Sequence, residues 1–289
     1  MKIPSSITHY LCLFCTSLSA AMSLLLAANA HSNEMHIKGA DILSGQAIEG
    51  GLIIARTHPS NLVTLADDAV RVAQNGVFVI GFHRESDTPK TLTITTPDGN
   101  MIKTTLLPEQ RGYKIQRIDG LESAMVTPPA AVLARIKADG EAVRAARKID
   151  TPLGDFWQGF DWPAHGRISG VYGSQRILNG QPRQPHYGID IASPLGTPVY
   201  APANGRITLV KDLYFSGWTI VMAHGLGVNS SFLHLDTTMV KSGALVKRGA
   251  VIGTIGATGR ATGPHLDWRI DWKGRRIDPG LLVGPMPPK

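Results

Sequence analysis

Between Ile37 and Leu121 short apolar runs alternate with turn signals. Gly50-Gly51 precedes Leu52-Ile53-Ile54-Ala55, and Asn75-Gly76 precedes Val77-Phe78-Val79-Ile80. Thr91 to Thr95 alternates with period two before Pro97-Asp98-Gly99-Asn100 turns the chain, and Tyr113 to Ile118 alternates again. Short strands spaced in this way predict a small β-sandwich-like unit. Pro128-Pro129 then opens a helix expected from Ala130 to Lys148, since proline is well placed at or just before a first helical turn. Val132, Ile136 and Val143 fit one face of it, with Arg135, Arg144, Arg147 and Lys148 expected elsewhere, as on a linker helix packed against a neighbouring unit. From Phe160 onward glycine and proline punctuate further β-like runs, at 166–170, 205–210, 218–222 and 251–255. This reads as a second β unit with many tight turns.

The first thirty residues form a different pattern. Lys2 precedes a long apolar stretch from about Tyr10 to Ala28, which ends in Ala28-Asn29-Ala30. A cation, an apolar run and an Ala-x-Ala ending predict a secretory signal peptide over residues 1–30 and a periplasmic destination. The alternative is an uncleaved segment that anchors the chain in the inner membrane, because the apolar run is long for a signal peptide. Cys12 and Cys15 both lie in this stretch, so the exported chain would carry no cysteine, and its folding would rest on packing and metal rather than disulfides.

Composition narrows the class without choosing the function. An apolar fraction of 43% supports a real core, so disorder is not the default, and the composition excludes a collagen, a coiled coil, a multi-span membrane protein and a disulfide scaffold. The formal net charge of +7 suits an anionic polymer such as nucleic acid, lipid head groups or cell-wall glycan. Export argues against nucleic acid as the natural partner.

Three segments of the second unit carry the chemistry. In His186-Tyr187-Gly188-Ile189-Asp190, an extended strand would put His186 and Asp190 on one face with Gly188 leaving room between them. In Ser231-Phe232-Leu233-His234-Leu235 a histidine stands between apolar neighbours. In His265-Leu266-Asp267-Trp268-Arg269-Ile270 the residues His265, Asp267 and Arg269 share one strand face, and the apolar three share the other. Histidine with carboxylate is the donor set of a catalytic Zn²⁺ centre, which keeps one position open for water. Additional histidines would move protons or stabilise an oxyanion. No His-Glu-x-x-His or Gly-x-Ser-x-Gly motif is present, which excludes a thermolysin-type helix and weakens a serine hydrolase. His58 and His83 stand alone in the first unit, where no ligand set gathers.

At these residues the sequence resembles the lysostaphin/LytM-type zinc metallopeptidases, exported enzymes that cut peptide bonds in peptidoglycan. The resemblance covers about 161–283. It rests on His186-x-x-x-Asp190, Ile191-Ala192-Ser193-Pro194-x-Gly196-Thr197-Pro198-Val199-x-Ala201-Pro202, His224-Gly225, Leu233-His234-Leu235 and Gly256-Ala257-Thr258-Gly259-x-Ala261-Thr262-Gly263-Pro264-His265-Leu266. It implies zinc held by His186 and Asp190, with His234 and His265 as catalytic groups and His224 as a structural turn residue. The family's third ligand is the second histidine of a His-x-His motif, and here that position is Asp267. An aspartate oxygen has similar reach, so Asp267 is expected as the third ligand, against the alternative of a salt bridge to Arg269.

The preceding residues resemble, less specifically, the β-rich N-terminal modules of such Gram-negative proteins. The expected layout is a signal peptide at 1–30, a β-rich domain at 31–121, a linker with a helix at 122–159 and a LytM-type antiparallel β domain with an open cleft at 160–289. The expected function is a zinc metalloendopeptidase that hydrolyses peptidoglycan cross-links or stem peptides. Nucleic acid and stable membrane insertion after signal cleavage are not expected. The alternative is a catalytically impaired module that binds cell wall or activates an amidase.

Overall fold

The computed structural model describes residues 35–287, apart from Asp67, Glu122 and Leu153. The segment expected to be a signal peptide, with Cys12 and Cys15, lies outside the described residues. The first strands are β1 (Asp41–Ser44), β2 (Leu52–Arg56), β3 (Leu62–Leu65), β4 (Asp68–Val70), β5 (Val77–Gly81), β6 (Lys90–Thr95) and β7 (Met101–Leu106). They form two antiparallel sheets, in the orders β1-β2-β5 and β4-β3-β6-β7. The runs Leu52–Ala55 and Val77–Ile80 are apolar without alternation, and both are buried along their whole length. That is the signature of a strand covered on both faces. Strand β7 alternates instead, and its even-numbered positions are the less exposed ones.

Strand β8 (Ile115–Ile118) departs from the expected grouping. It does not join either of those sheets but pairs in parallel with β10 (Gln175–Leu178), with Ile115 opposite Gln175 and Ile118 opposite Leu178. None of its residues is buried, so it has no apolar face with which to enter the sandwich, and backbone pairing decides its place. Tyr113, just before it, lies so close to Gly173 that a Cβ there would sit 2.0 Å from the ring.

A short helix α1 (Ser123–Val126) leads to α2 (Ala130–Arg147), which starts after the extended Pro129. Helix α2 packs on the C-terminal sheet, and Asp139 and Ala146 are its buried residues. One expectation for this helix, the outward placement of Arg147, is corrected, and Asp139 joins the inner face as well. Asp139 lies on the inner face, where its carboxylate accepts from the Tyr214 backbone N–H at 2.8 Å and pairs with Lys211 at 3.1 Å. Arg147 also faces inward, with a side chain only 12% exposed. The steps from Ile136 to Gly140, Val143 and Arg147 are four, three and four residues, which keeps all of them on one helical stripe.

The C-terminal strands are β9 (Arg167–Gly170), β10, β11 (Gln181–Pro182), β12 (Ile189–Ala192), β13 (Pro198–Tyr200), β14 (Gly205–Leu213), β15 (Gly217–Gly225), β16 (Val228–Thr238), β17 (Leu245–Val246), β18 (Val251–Ile255), β19 (His265–Trp272) and β20 (Arg275–Ile277). The main sheet runs β17-β14-β15-β16-β19-β12-β9, with β18 on β16, β13 on β18 and β20 on β19. Its pairings are antiparallel. Leu266, Trp268, Ile270 and Trp272 of β19 are buried on one face of it. The fold is mostly β with a LytM-like C-terminal part, as expected. Met35 to the C-terminus forms one compact unit, and β5 meets β19 and β20 where Gly81 lies against Trp272 and Ile277.

Candidate metal centre

The central strands β16, β19 and β12 bring the three chemistry-bearing segments together. Asp190 of β12 stands directly opposite Asp267 of β19, and Asp267 stands opposite Leu233 of β16. Directly opposed residues in a sheet present their side chains on the same face. The pairing register therefore collects residues that are far apart in sequence.

His186 reaches this face by a different route from the one expected. Strand β12 begins only at Ile189, so His186 and Gly188 do not lie on it. Backbone bonds fix His186 instead: its N–H donates to Ser174 O at 2.8 Å, and its carbonyl accepts from Gly173 N at 2.7 Å. Gly188 has a sharper role than leaving room between His186 and Asp190. A Cβ there would lie 2.5 Å from Asp267 Oδ1 and 2.7 Å from Trp268 O, so only glycine lets this segment pass β19. Gly170 does the same for Asp190, whose Oδ2 would lie 2.2 Å from a Cβ at that position.

His186, Asp190 and Asp267 are all buried, and each offers a donor atom within 4.8 Å of the other two. His186 Nε2 lies 3.1 Å from Asp190 Oδ1. Both ring nitrogens of His186 and Oδ1 of Asp190 are buried without a hydrogen-bond partner. Buried polar atoms are normally satisfied, so this group of orphaned donors is the arrangement that a bound cation completes. One histidine nitrogen and two carboxylates fit Zn²⁺.

The other oxygens of the cluster are held by arginine. Arg176 Nη2 donates to Asp190 Oδ2 at 3.1 Å, and Arg269 Nε donates to Asp267 Oδ1 at 3.0 Å and to Oδ2 at 3.1 Å. Burial alone would raise the Asp267 carboxyl. Arg269 outweighs that effect, with help from His186, and holds it well below the ordinary carboxylate range. Asp267 thus belongs to the donor cluster and also makes the ion pair with Arg269. Arg269 was visible in the strand-face pattern. Arg176 was not, because only the β8–β10 pairing and the turn at Gly173 carry its side chain to Asp190.

His234 and His265 flank the cluster, with ring centroids 4.8 Å apart. His265 Nε2 lies 4.0 Å from Asp190 Oδ1. His234 Nδ1 lies 2.8 Å from Thr258 O, and His265 Nδ1 lies 2.8 Å from Gly263 O. A carbonyl can only accept, so in both rings Nδ1 carries a proton and donates it. Burial pushes the His234 imidazole down to about 4, so it is neutral at pH 7.

Simple alternation would place His234 on the same face as Phe232, away from Asp267. The backbone prevents this: Trp218 pairs with Leu235 and Ile220 with Phe232, so Leu233 and His234 together oppose the single residue Thr219. His234 adopts φ +62°, and its N–H donates to Ser216 O at 2.8 Å. A bulge of this kind re-aims a side chain, here onto the same face as Asp267. His224 is fully buried away from the cluster, between Asn204 O at 2.9 Å and Ser230 Oγ at 2.8 Å. His58 and His83 are not part of the donor group.

Comparison with known proteins places these residues. Positions 184–279 match the model of peptidase family M23. Two peptidoglycan DD-endopeptidases of Vibrio cholerae are similar: ShyB, 43% identical over 94 residues, and ShyA, 38% identical over 113 residues. The matches cover 32% and 39% of this chain but only 22% and 26% of those proteins, so the chain spans about a quarter of the length of these relatives. A crystal structure from Pseudomonas aeruginosa, assigned as an M23 peptidase, superimposes with a TM-score of 0.66 at 28% identity. It covers 84% of this chain and 97% of its own. The segment from residue 184 to 279, which contains the whole donor cluster and both flanking histidines, is a peptidase M23 domain of the LytM type.

Proposed function

We propose that this chain is a zinc metalloendopeptidase, exported to the periplasm, that hydrolyses peptide bonds in peptidoglycan cross-links or stem peptides. The observation that carries the reading is the buried group of His186, Asp190 and Asp267, in which both His186 ring nitrogens and Asp190 Oδ1 have no hydrogen-bond partner. The DD-endopeptidase relatives support the choice of substrate. The Ala28-Asn29-Ala30 ending and the apolar stretch before it support export.

His186, Asp190 and Asp267 would hold the metal. Zn²⁺ bound there supplies Lewis-acid polarisation of a carbonyl and a more acidic water. Arg176 and Arg269 fix the two carboxylates and spare them the cost of standing as unpaired buried charges. His234 and His265 stand beside the cluster, each oriented by a carbonyl at Nδ1 that leaves Nε2 as the nitrogen for proton transfer. They are placed to take a proton from the attacking water and to deliver one to the leaving amine. His234 is itself buried, at the edge of the cavity between the sheet and the linker helix. The β-rich residues 31–121 and the linker 122–159 act in this proposal as a module and connector appended to the hydrolytic domain at 160–289.

One observation favours a second reading, a catalytically impaired module that binds wall or activates an amidase: Arg269 already engages both oxygens of Asp267. Metal analysis of the purified chain, together with digestion of whole peptidoglycan, separates the two. About one zinc per chain and release of un-cross-linked peptides is the expected result. A chain that stays metal-free after incubation with zinc at neutral pH would refute the enzyme.

A further inference from the structure

The hydrogen bonds that place His186 come from its backbone. Neither ring nitrogen has a hydrogen-bond partner among the described residues, whereas a metal-binding histidine is commonly oriented by a bond at its second nitrogen. Its backbone bonds run to Gly173 N and Ser174 O, at 2.7 and 2.8 Å. Those two groups bracket a single peptide unit. The carbonyl of that unit, Gly173 O, accepts from Arg84 Nε at 2.8 Å. Arg84 belongs to the β-rich unit and lies just after the end of β5.

Arg84 is itself fixed. Its guanidinium lies 4.1 Å over the Tyr113 ring, and its Nη1 donates to Glu85 Oε1 at 3.0 Å. Its side chain is only 15% exposed. Phe82 beside it is buried, and the Phe82 N–H donates to Gly51 O at 2.9 Å. The ring of Tyr113 also packs on Gly173, which adopts φ +81°, so Arg84 and Gly173 are joined both directly and through one aromatic ring. The support of Asp190 has the same origin. Gln175 N–H donates to Lys114 O at 2.9 Å, Arg176 stands opposite Gln116 in the β8–β10 pair, and Arg176 holds Asp190. Tyr187, next to His186, meets His83 edge-on with centroids 5.7 Å apart. Residues 83–84 and 113–118 all precede the M23 domain at 184–279, so two of the three metal donors are braced from outside it.

We propose that Arg84 is a positioning residue of the metal centre: it fixes the 173–174 peptide that sets His186, and so makes the β-rich unit a working part of the site as well as a module attached to it. This rests on the reading of His186, Asp190 and Asp267 as zinc ligands. A guanidinium that donates to a carbonyl makes a charge-assisted bond, stronger than a neutral one. Without it the 173–174 peptide is free to turn, and His186 moves with it. Strand β19, which carries Asp267, keeps its pairing with β16 and β12, so the effect is confined to the His186 side of the cluster.

The test uses the full chain as wild type, Arg84→Met and Arg84→Lys. Methionine keeps an aliphatic stem and removes the donor, whereas lysine keeps a cation and a donor. Zinc affinity is measured by competition with a chromogenic chelator. Amide hydrogen exchange of the zinc-free chain is measured residue by residue by NMR. Arg84→Met is expected to bind zinc about tenfold more weakly, with faster exchange at Gly173 and His186 and unchanged protection along β19. Arg84→Lys should recover most of the affinity. Wild-type zinc affinity in Arg84→Met overturns the proposal. So does a weaker affinity with an equal loss of protection along β19, because Arg84 would then act on overall stability alone. A wild-type chain that binds no zinc refutes the metalloenzyme reading instead, and exchange at Gly173 and His186 then decides by itself whether Arg84 sets His186. If Arg84→Met does not fold, Arg84→Gln, shorter and uncharged, is measured in its place.

Discussion

His224 ties the stability of this fold to pH through a single proton. The ring is fully buried, its Nδ1–H donates to Asn204 O, and its Nε2 accepts from the Ser230 hydroxyl. Burial pushes it down to about 4, from an ordinary value of 6.5. A histidine depressed in the folded state binds its proton more readily when unfolded. Its contribution is therefore complete above pH 6.5 and is lost as pH falls from 6.5 towards 4. At about 1.4 kcal/mol per pH unit the full effect is about 3 kcal/mol, of which about 2 kcal/mol is lost between pH 7.5 and 5. His234 is depressed in the same way, so the wild-type curve alone mixes two groups. His224→Gln removes one of them. Urea unfolding of both proteins at pH 7.5 and pH 5 isolates the term, since the stability difference between them should narrow by about 2 kcal/mol at the lower pH. A difference that stays constant across that range would refute a neutral buried His224.

The remaining predictions concern the site. Gly188→Ala should cost about 2 kcal/mol and lower zinc content, because its Cβ would overlap Asp267 Oδ1 and Trp268 O, and unfolding with metal analysis checks both. His186→Ala and Asp190→Ala should abolish zinc binding. His234→Ala and His265→Ala should keep the metal and lower turnover about 10²-fold, and loss of zinc in either would show that ligand and proton carrier had been confused. Asp267→Ala should lose zinc and also strand Arg269, destabilising the metal-free chain by about 3 kcal/mol. Unchanged zinc and stability in that variant would remove Asp267 from the site.

The sequence by itself determined what local pattern can determine. The apolar runs at 52–55 and 77–80, the period-two stretch at 91–95 and the helix after Pro129 all appear where the pattern puts them. The single face shared by His265, Asp267 and Arg269 needs only strand periodicity, and the donors His186, Asp190 and Asp267 stand out by residue type and motif. Other features were fixed only by contacts between distant segments. His186 is set in place by Gly173 and Ser174 rather than by a continuous strand. His234 is turned onto the site by a bulge that exists only against Thr219 of the neighbouring strand. Strand β8 is placed by backbone pairing with β10, to which its own alternation contributes nothing. The pairing of Arg176 with Asp190, and the inward Arg147 and Asp139 of α2, were settled when helix and sheet closed over them. Periodicity assigns a residue to a face. Which charge meets which across two packed faces depends on register, and register is a property of the assembled sheet.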